Sequence, residues 1–557
     1  MIVRARPSRA IAFVFISLCL YLVYEIGTFC FSASSSLPNL TIPPGRRIQY
    51  PFREKGVGGR DEEKADAVRK VMERTWKLYK QKAFGFDEIK PASGGYRNSR
   101  NGWGATIVDS MTTTAVMGLS DAFADQYDWV VNHINFDEAK DLVDPFETTI
   151  RYLAALVSTV DLLEAGVITP PRPSFRQDIL RQARSLADNL GPAFDTPTGM
   201  VWPRVNFGTK SGVNDDGRKN KYTRIHLARA GSHWLEYATL SQLTGDNIYL
   251  RNATKAWSRL VDSTEREEWP VYHRSPRLIW TGESVGSTRT LGAPDDSYYE
   301  YLIKAHLLFP SRASTKRYAR RWLQAMTSAQ KHLLSVSDTH PIHSFLLSYS
   351  KGMYNNKMGH LTCFIGGNLL LGAAYLNRAD LLSFGKALVE GCRYSYFSTP
   401  SGIGPEEWSW TPRESKRNRA GQPEFFTGPV TAAQEKAWQQ TGIWPTQANY
   451  NLRPEVVESY FYGWRITGQE KYRAWAWDAF TAIVNATTAE WGYSEVASVM
   501  ATPASEEERR RNFRDTSESF WSAETLKYLY LTFSEPELCS LDNWVFNTEA
   551  HPLRRRI

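Results

Sequence analysis

Arg453-Pro454-Glu455-Val456-Val457-Glu458-Ser459-Tyr460-Phe461-Tyr462 opens a segment whose spacing predicts a helix. Pro454 has φ held near the helical value and no N–H to lose, which suits a first turn. Glu455 and Glu458 lie three residues apart, so they share one face of that turn, where the positive end of the helix dipole favours carboxylates. Alone, the pair reads equally well as an acidic start to a solvated helix. Downstream the run ends at Ile466-Thr467-Gly468-Gln469-Glu470-Lys471-Tyr472, and Leu243-Thr244-Gly245-Asp246-Asn247-Ile248-Tyr249 echoes it. Each closes one helical run and opens the next, with a Gly suited to the left-handed position after a helix. From Asp61 onward apolar residues recur at helical spacing, as in Ala65, Val68, Val71, Met72 and Trp76, and strand-like alternation is scarce. The pattern predicts a chain of helical hairpins. Such a chain either closes into a toroid, with inner helix ends around a central cavity, or stays an open solenoid.

The chain has 557 residues, 42% of them apolar, enough for a sizeable core. Its net charge of +8 is scattered apart from short runs such as Arg509 to Arg511 and Arg554 to Arg556, so no nucleic-acid footprint is expected. Arg4, Arg6 and Arg9 precede an apolar run from Ala10 to Tyr24 that resumes after Glu25 as far as Phe31. This predicts a cytoplasmic tail (1–9) and a signal-anchor across a membrane (10–31), with a cleaved signal peptide as the alternative. No clean small-x-small cleavage site follows the run. Residues 32–60, rich in Ser, Pro, Gly and Arg, read as a flexible stem, and 61–557 as the catalytic domain on the lumenal side of an endoplasmic reticulum or Golgi membrane. Sequons at Asn39, Asn252 and Asn485 agree with a lumenal glycoprotein. Cys19 and Cys30 fall in the apolar segment. That leaves Cys363, Cys392 and Cys539 in an oxidising lumen, which implies one disulfide and one odd thiol. No CxxC occurs to suggest a cysteine-bound metal.

Four further stretches embed acids in apolar, helix-like runs. Glu147 and Arg151 in Phe146-Glu147-Thr148-Thr149-Ile150-Arg151 are spaced for an ion pair. Asp295 and Asp296 sit where Pro294 and Ser297 suggest a helix start, and capping is the plain reading. Glu524 lies within Ser519-Phe520-Trp521-Ser522-Ala523-Glu524-Thr525-Leu526, an odd place for a surface acid. Phe546-Asn547-Thr548-Glu549-Ala550-His551-Pro552-Leu553 is polar yet follows a strand-like run. Acids at several apolar helix starts suit a glycosidase, which needs one carboxylic acid for the leaving oxygen and one carboxylate for water or direct attack. With 13% aromatics and 19 Trp, stacking on sugar faces is also available. No Ser/His/Asp elbow and no phosphate-cradling Gly loop occurs.

Seven segments in order carry a resemblance: 102–113 (GWGATIVDSMTT), 146–151 (FETTIR), 296–304 (DSYYEYLIK), 357–364 (KMGHLTCF), 452–459 (LRPEVVES), 518–531 (ESFWSAETLKYLYL) and 546–553 (FNTEAHPL). From about Arg74 to Leu553 the chain resembles class I α-1,2-mannosidases, glycoside hydrolase family 47, of the fungal type. The resemblance implies an all-α (α/α)7 barrel. It also implies inverting hydrolysis of terminal α-1,2-linked mannose on high-mannose N-glycans of glycoproteins, and a Ca²⁺ held by oxygens of Thr548 and by waters. Glu455, Glu458, Glu524 and Glu549 would orient those waters, with Glu458 and Glu524 also facing substrate. Glu147 takes the place of the general acid, directly or through a water, and Glu455 that of the general base, with Asp296 competing. Inversion needs room for water and hence acid and base carboxyls roughly 6.5 to 9.5 Å apart. Arg151, His360 and Arg453 match pocket polar groups, Phe520 a platform beneath the terminal mannose, and Cys363 with Cys392 the family disulfide. Among the departures from the family pattern, Thr112 marks a subfamily, while Arg229 and Pro294 in the Pro294-Asp295 pair leave branch preference open. The rival implied reading is a mannosidase-like lectin that recognises N-glycans on misfolded proteins with little hydrolysis. A secreted degradative mannosidase, released by cleavage after the apolar segment, is a third.

Overall fold

A computed structural model describes residues 46–263, 269, 273–338, 341–413 and 428–557. The expected anchor, Cys19, Cys30 and Asn39 lie outside them. Among the described residues no helix is long and apolar enough to cross a membrane.

The hairpin reading holds. Helices pair consecutively: α2 (Met111–Val116) with α3 (Ser120–Asn132), α4 (Ala154–Glu164) with α5 (Phe175–Leu190), α6 (Trp234–Thr244) with α7 (Asn247–Val261). The series continues with α8 (Asp296–Leu308) and α9 (Lys316–His332), α10 (Phe364–Leu376) and α11 (Ala379–Phe397), α12 (Glu455–Thr467) and α13 (Lys471–Thr487). The last inner helix, α14 (Leu526–Phe533), pairs across the chain with α1 (Glu62–Lys82). The even-numbered helices touch one another in sequence, and the turn before α14 touches α2, so the inner ring closes into an α/α barrel. An open solenoid is excluded.

Sequence pattern assigns the two layers. Inner α10 is apolar on every side and buries all but one of its residues, whereas outer α9 buries Tyr318, Ala319, Trp322, Leu323 and Met326 on one face and keeps its Arg and Lys outside. Gly245 and Gly468 take φ of 75° and 66° just past α6 and α12, the conformation their spacing predicted. Strands are short. One hairpin matters, β3 (Trp544–Phe546) with β4 (Pro552–Arg554), which packs against α4 and α8 and holds residues 547–551 at the barrel centre. An earlier hairpin, β1 (Glu88–Ile89) with β2 (Tyr96–Arg97), lies between α1 and α2.

The expected stem boundary at residue 60 needs correcting. Ile48 and Gln49 donate backbone N–H groups to Asp542 Oδ1 (2.6 and 3.1 Å), Tyr50 N–H donates to the Arg465 carbonyl (2.8 Å), and buried Phe52 meets Trp464 at 4.6 Å. Residues 46–60 therefore belong with the barrel. Their Ser/Pro/Gly-rich surroundings masked the apolar anchors Ile48 and Phe52. Cys363 and Cys392 are joined, tying the start of α10 to α11, while Cys539 is free and buried. Asn252 is half-buried on α7 and Asn485 exposed on α13.

Candidate active site

Four inner segments begin at the same end of the barrel, and each brings acids. Asp144 caps a short helical turn, Pro145–Thr148, by accepting from Phe146 N–H (3.0 Å), and Glu147 rides on that turn. Asp296 starts α8 and accepts from Ser297 N–H (2.8 Å); Glu455 starts α12, with Glu458 one turn on. π-helical turns at Thr149–Leu153 and Trp521–Thr525 re-aim Arg151 and Glu524, the kind of insertion that recurs at functional sites. These side chains line one cavity of about 610 Å³ together with Phe520, Thr548, Glu549, Arg151 and Arg453.

His360 is the exception. It does not line the cavity but stands fully buried behind Glu455, its Nδ1 2.7 Å from Glu455 Oε2 and its Nε2 2.8 Å from Tyr396 Oη. It supports the carboxylate and does not face a ligand. Arg229 and Pro294 do line the cavity, and Arg229 is held by Asp144. Thr112 lies outside it, bonded to His551 Nδ1 at 2.9 Å.

The electrostatics separate the acids. Burial works against ionisation of Glu147, yet Arg151 (Nε 2.8 Å) and Arg100 (3.3 Å) overcome it and pull the carboxyl down to about 2. At Glu455 burial is again the largest effect and is again outweighed, here by the His360 hydrogen bond and the charges of His360 and Arg453, so this carboxyl sits below its usual range. Asp296 goes the other way: burial, reinforced by Glu300 and Glu455, raises it to about 6. Arg453 itself is fixed by Glu406 (Nε to Oε1 2.7 Å), and the guanidiniums of Arg151 and Arg453 each stand 5.7 Å from the Phe520 ring.

The floor is the loop 547–551. Asn547 Oδ1 accepts from Glu549 N–H (3.0 Å) and His551 N–H (2.8 Å), while its Nδ2 donates to Glu236 Oε1 (2.9 Å). Lys527 Nζ donates to the Ala550 carbonyl (2.8 Å), and Asp109 holds His551 Nε2 (3.1 Å). Thr548 is thereby presented upward without a side-chain partner being required of it. Burial, added to mutual repulsion, raises Glu458, Glu524 and Glu549 well above the usual carboxylate range. Nine carboxyl groups against five arginines line the cavity, and the repulsion among the carboxyls is what a hard, oxygen-bound cation would relieve. Among the described residues no three acids, His or Cys converge as direct ligands. The family resemblance implies a cation on Thr548 oxygens and water with the carboxylates one layer out, and Thr548 and these carboxyls do line one cavity.

Sequence reasoning passed over Arg100, Asp144, Glu300 and Glu518, which also line the cavity. Glu300 was within reach, one helical turn from Asp296. Arg100 sits in a loop without periodicity and gave no signal.

An α/α barrel that gathers carboxylates, guanidiniums and the Phe520 ring in one cavity fits a glycoside hydrolase. Residues 71–555 match the family model for glycosyl hydrolase family 47. The chain is 38% identical over 499 residues to a probable mannosyl-oligosaccharide α-1,2-mannosidase 1B of Aspergillus niger, covering 88% of this chain and 91% of that one. It is 37% identical over 522 residues to the mannosyl-oligosaccharide α-1,2-mannosidase of Penicillium citrinum (91% and 96% covered). The α-1,2-mannosidase structure from Trichoderma reesei superposes with a TM-score of 0.81 at 33% identity, over 90% of this chain and all of that one. The chain belongs to glycosyl hydrolase family 47.

Proposed function

We propose that this protein removes terminal α-1,2-linked mannose from high-mannose N-glycans of glycoproteins, with inversion and with Ca²⁺ bound over Thr548. The observation that carries the reading is the convergence of Glu147, Asp296 and Glu455 around Phe520 in one cavity. Phe520 stacks the apolar face of the sugar, and Arg151 and Arg453 hold its hydroxyls. Glu455, kept ionised by His360 and Arg453, takes a proton from the water that attacks the anomeric carbon from the face opposite the leaving group. Asp296, raised to about 6, is also mostly ionised at neutrality and is the competing base. Glu147 is ionised at rest beside two guanidiniums, so it must first take up a proton from solvent before it passes that proton to the leaving oxygen, directly or through a bound water. When bound, Ca²⁺ supplies a fixed positive charge and an anchor for sugar hydroxyls. The barrel has seven helical hairpins in this reading, and residues 10–31 anchor it in an endoplasmic reticulum or Golgi membrane with the barrel lumenal.

The test is mannose release from a high-mannose glycan, with Ca²⁺ and with a chelator, following the anomer by NMR. Chelator-sensitive release of β-mannose is expected. Initial release of α-mannose would overturn inversion, and glycan binding without release would favour the lectin reading.

A further inference from the structure

Segment 102–113 and the loop before it, which carries Arg100, are firmly built. Asp87, fully buried, accepts four backbone N–H groups: Arg100 (2.7 Å) and Gly102 (2.9 Å) on Oδ2, Gly104 and Ala105 (both 3.0 Å) on Oδ1. One carboxylate thus fixes the loop that carries Arg100. Next to it, Glu88 is also fully buried and is held by Ser99 Oγ (3.0 Å) and by Arg97.

From Glu88 the charges alternate inward. Arg97 Nη2 reaches Glu518 Oε1 at 2.9 Å, and Arg100 Nη2 reaches Glu518 Oε2 at 3.2 Å. The other nitrogen of the same fork, Arg100 Nη1, stands 3.3 Å from Glu147 Oε2. Glu88, Arg97, Glu518, Arg100 and Glu147 therefore form one ladder from the β1–β2 hairpin to the cavity. Its middle rung, Glu518, is two residues from Phe520 and lines the cavity itself. The planar guanidinium makes this geometry specific, since a lysine ammonium cannot hold two carboxylates in a fixed fork.

We propose that Arg100 is a positioning residue for Glu147, dividing its two Nη groups between Glu147 and Glu518 so that Glu518 governs how much of the guanidinium Glu147 receives. This rests on the reading of Glu147 as the group that serves the leaving oxygen. The groups facing Glu147 are Arg151 and Asp144 from its own segment, Arg100 from the loop, Arg229 from the helix Leu227–Gly231, Glu518 from the platform segment and Glu549 from the floor. Arg151 and Arg229 remain in place in every variant below, so the ladder alone is changed. Burial disfavours the Glu147 carboxylate, and Arg151 and Arg100 are the strongest forces against that. Losing Arg100 must raise the carboxyl. Losing the charge on Glu518 must leave Arg100 undivided and lower it.

The ladder therefore predicts shifts of opposite sign, which a merely structural role would not give. The experiment is the pH dependence of kcat/KM for the Ca²⁺-loaded full chain on a high-mannose glycan. It compares wild type with Arg100→Gln, Arg100→Lys, Glu518→Gln and Glu147→Gln, each checked for its thermal transition. Arg100→Gln should move the limb belonging to Glu147 up from near 2 by about half a pH unit or more, and Glu518→Gln should move it down, read as a lower kcat/KM at fixed neutral pH because fewer Glu147 carboxyls then carry the proton. Arg100→Lys should keep the limb near its wild-type place while kcat falls, because charge survives and the fork does not. Equal-sign shifts, or no shift in Glu518→Gln, would overturn the proposal. If Arg100→Gln does not fold, the direction in Glu518→Gln decides. Full activity in Glu147→Gln would instead refute the role of Glu147, whereas its loss with unmoved limbs elsewhere refutes only the ladder.

Discussion

Replacing His360 by Phe isolates the support behind the proposed base. The ring keeps the volume of a fully buried site whose neighbours are Tyr396 and Tyr450, 5.7 and 5.8 Å away between centroids, and removes both ring nitrogens, the one 2.7 Å from Glu455 Oε2 and the one 2.8 Å from Tyr396 Oη. A hydrogen bond to a charged group is worth about 1.5–3 kcal/mol, and one pKa unit corresponds to about 1.4 kcal/mol. Glu455 should therefore rise toward the usual carboxylate range. Because the proposed base works ionised, the acid-side limb of kcat/KM should move up by about one to two pH units, with little change at high pH. Stability follows the same sign. A carboxyl depressed in the folded state contributes stability above its unfolded pKa and loses it as pH falls through the folded value. The gap in Tm between wild type and His360→Phe should therefore be wider at pH 7 than at pH 3. An unmoved limb together with a pH-independent Tm gap would refute the role assigned to His360.

Glu455→Gln should nearly abolish turnover while glycan binding, measured by calorimetry, survives; retained activity would transfer the base to Asp296. Glu236→Gln should stabilise the fold at alkaline pH. Burial raises Glu236 to about 7 and its Oε2 has no hydrogen-bond partner among the described residues, so wild-type stability declines as pH rises through that value, by about 3 kcal/mol at pH 8. Urea unfolding at pH 5 and pH 8 checks whether the amide removes that decline. Cys392→Ser opens a crosslink spanning 29 residues and should lower stability by about 3–4 kcal/mol, read as a lower Tm in nonreducing buffer.

Much of the fold was legible because helical hairpins punctuate themselves: Gly245 and Gly468 end helices at positions that local chemistry dictates. Site acids were legible for a related reason. Glu455, Asp296 and Glu524 contradict their apolar surroundings, and a contradiction in one helix is visible without knowing its neighbours. What stayed hidden depends on distant partners. His360 looks like a pocket residue until Glu455, 95 positions away, is seen to occupy its Nδ1. Arg100 means nothing until Glu518, 418 positions on, takes its other arm. The stem boundary failed for a smaller reason, since two apolar side chains among many prolines and serines anchor a segment that composition averages away.

The hairpin β3–β4 gives this enzyme an order of assembly in time. Every inner helix precedes residues 547–551 in the chain, so translation delivers Glu147, Asp296, Glu455 and Glu524 before the loop that completes their floor. Until that loop docks, those acids lack Asn547, Thr548 and the clamp from Lys527. The floor of the cavity is therefore completed by a segment that follows every inner helix in the chain, and the gathered acids wait on it.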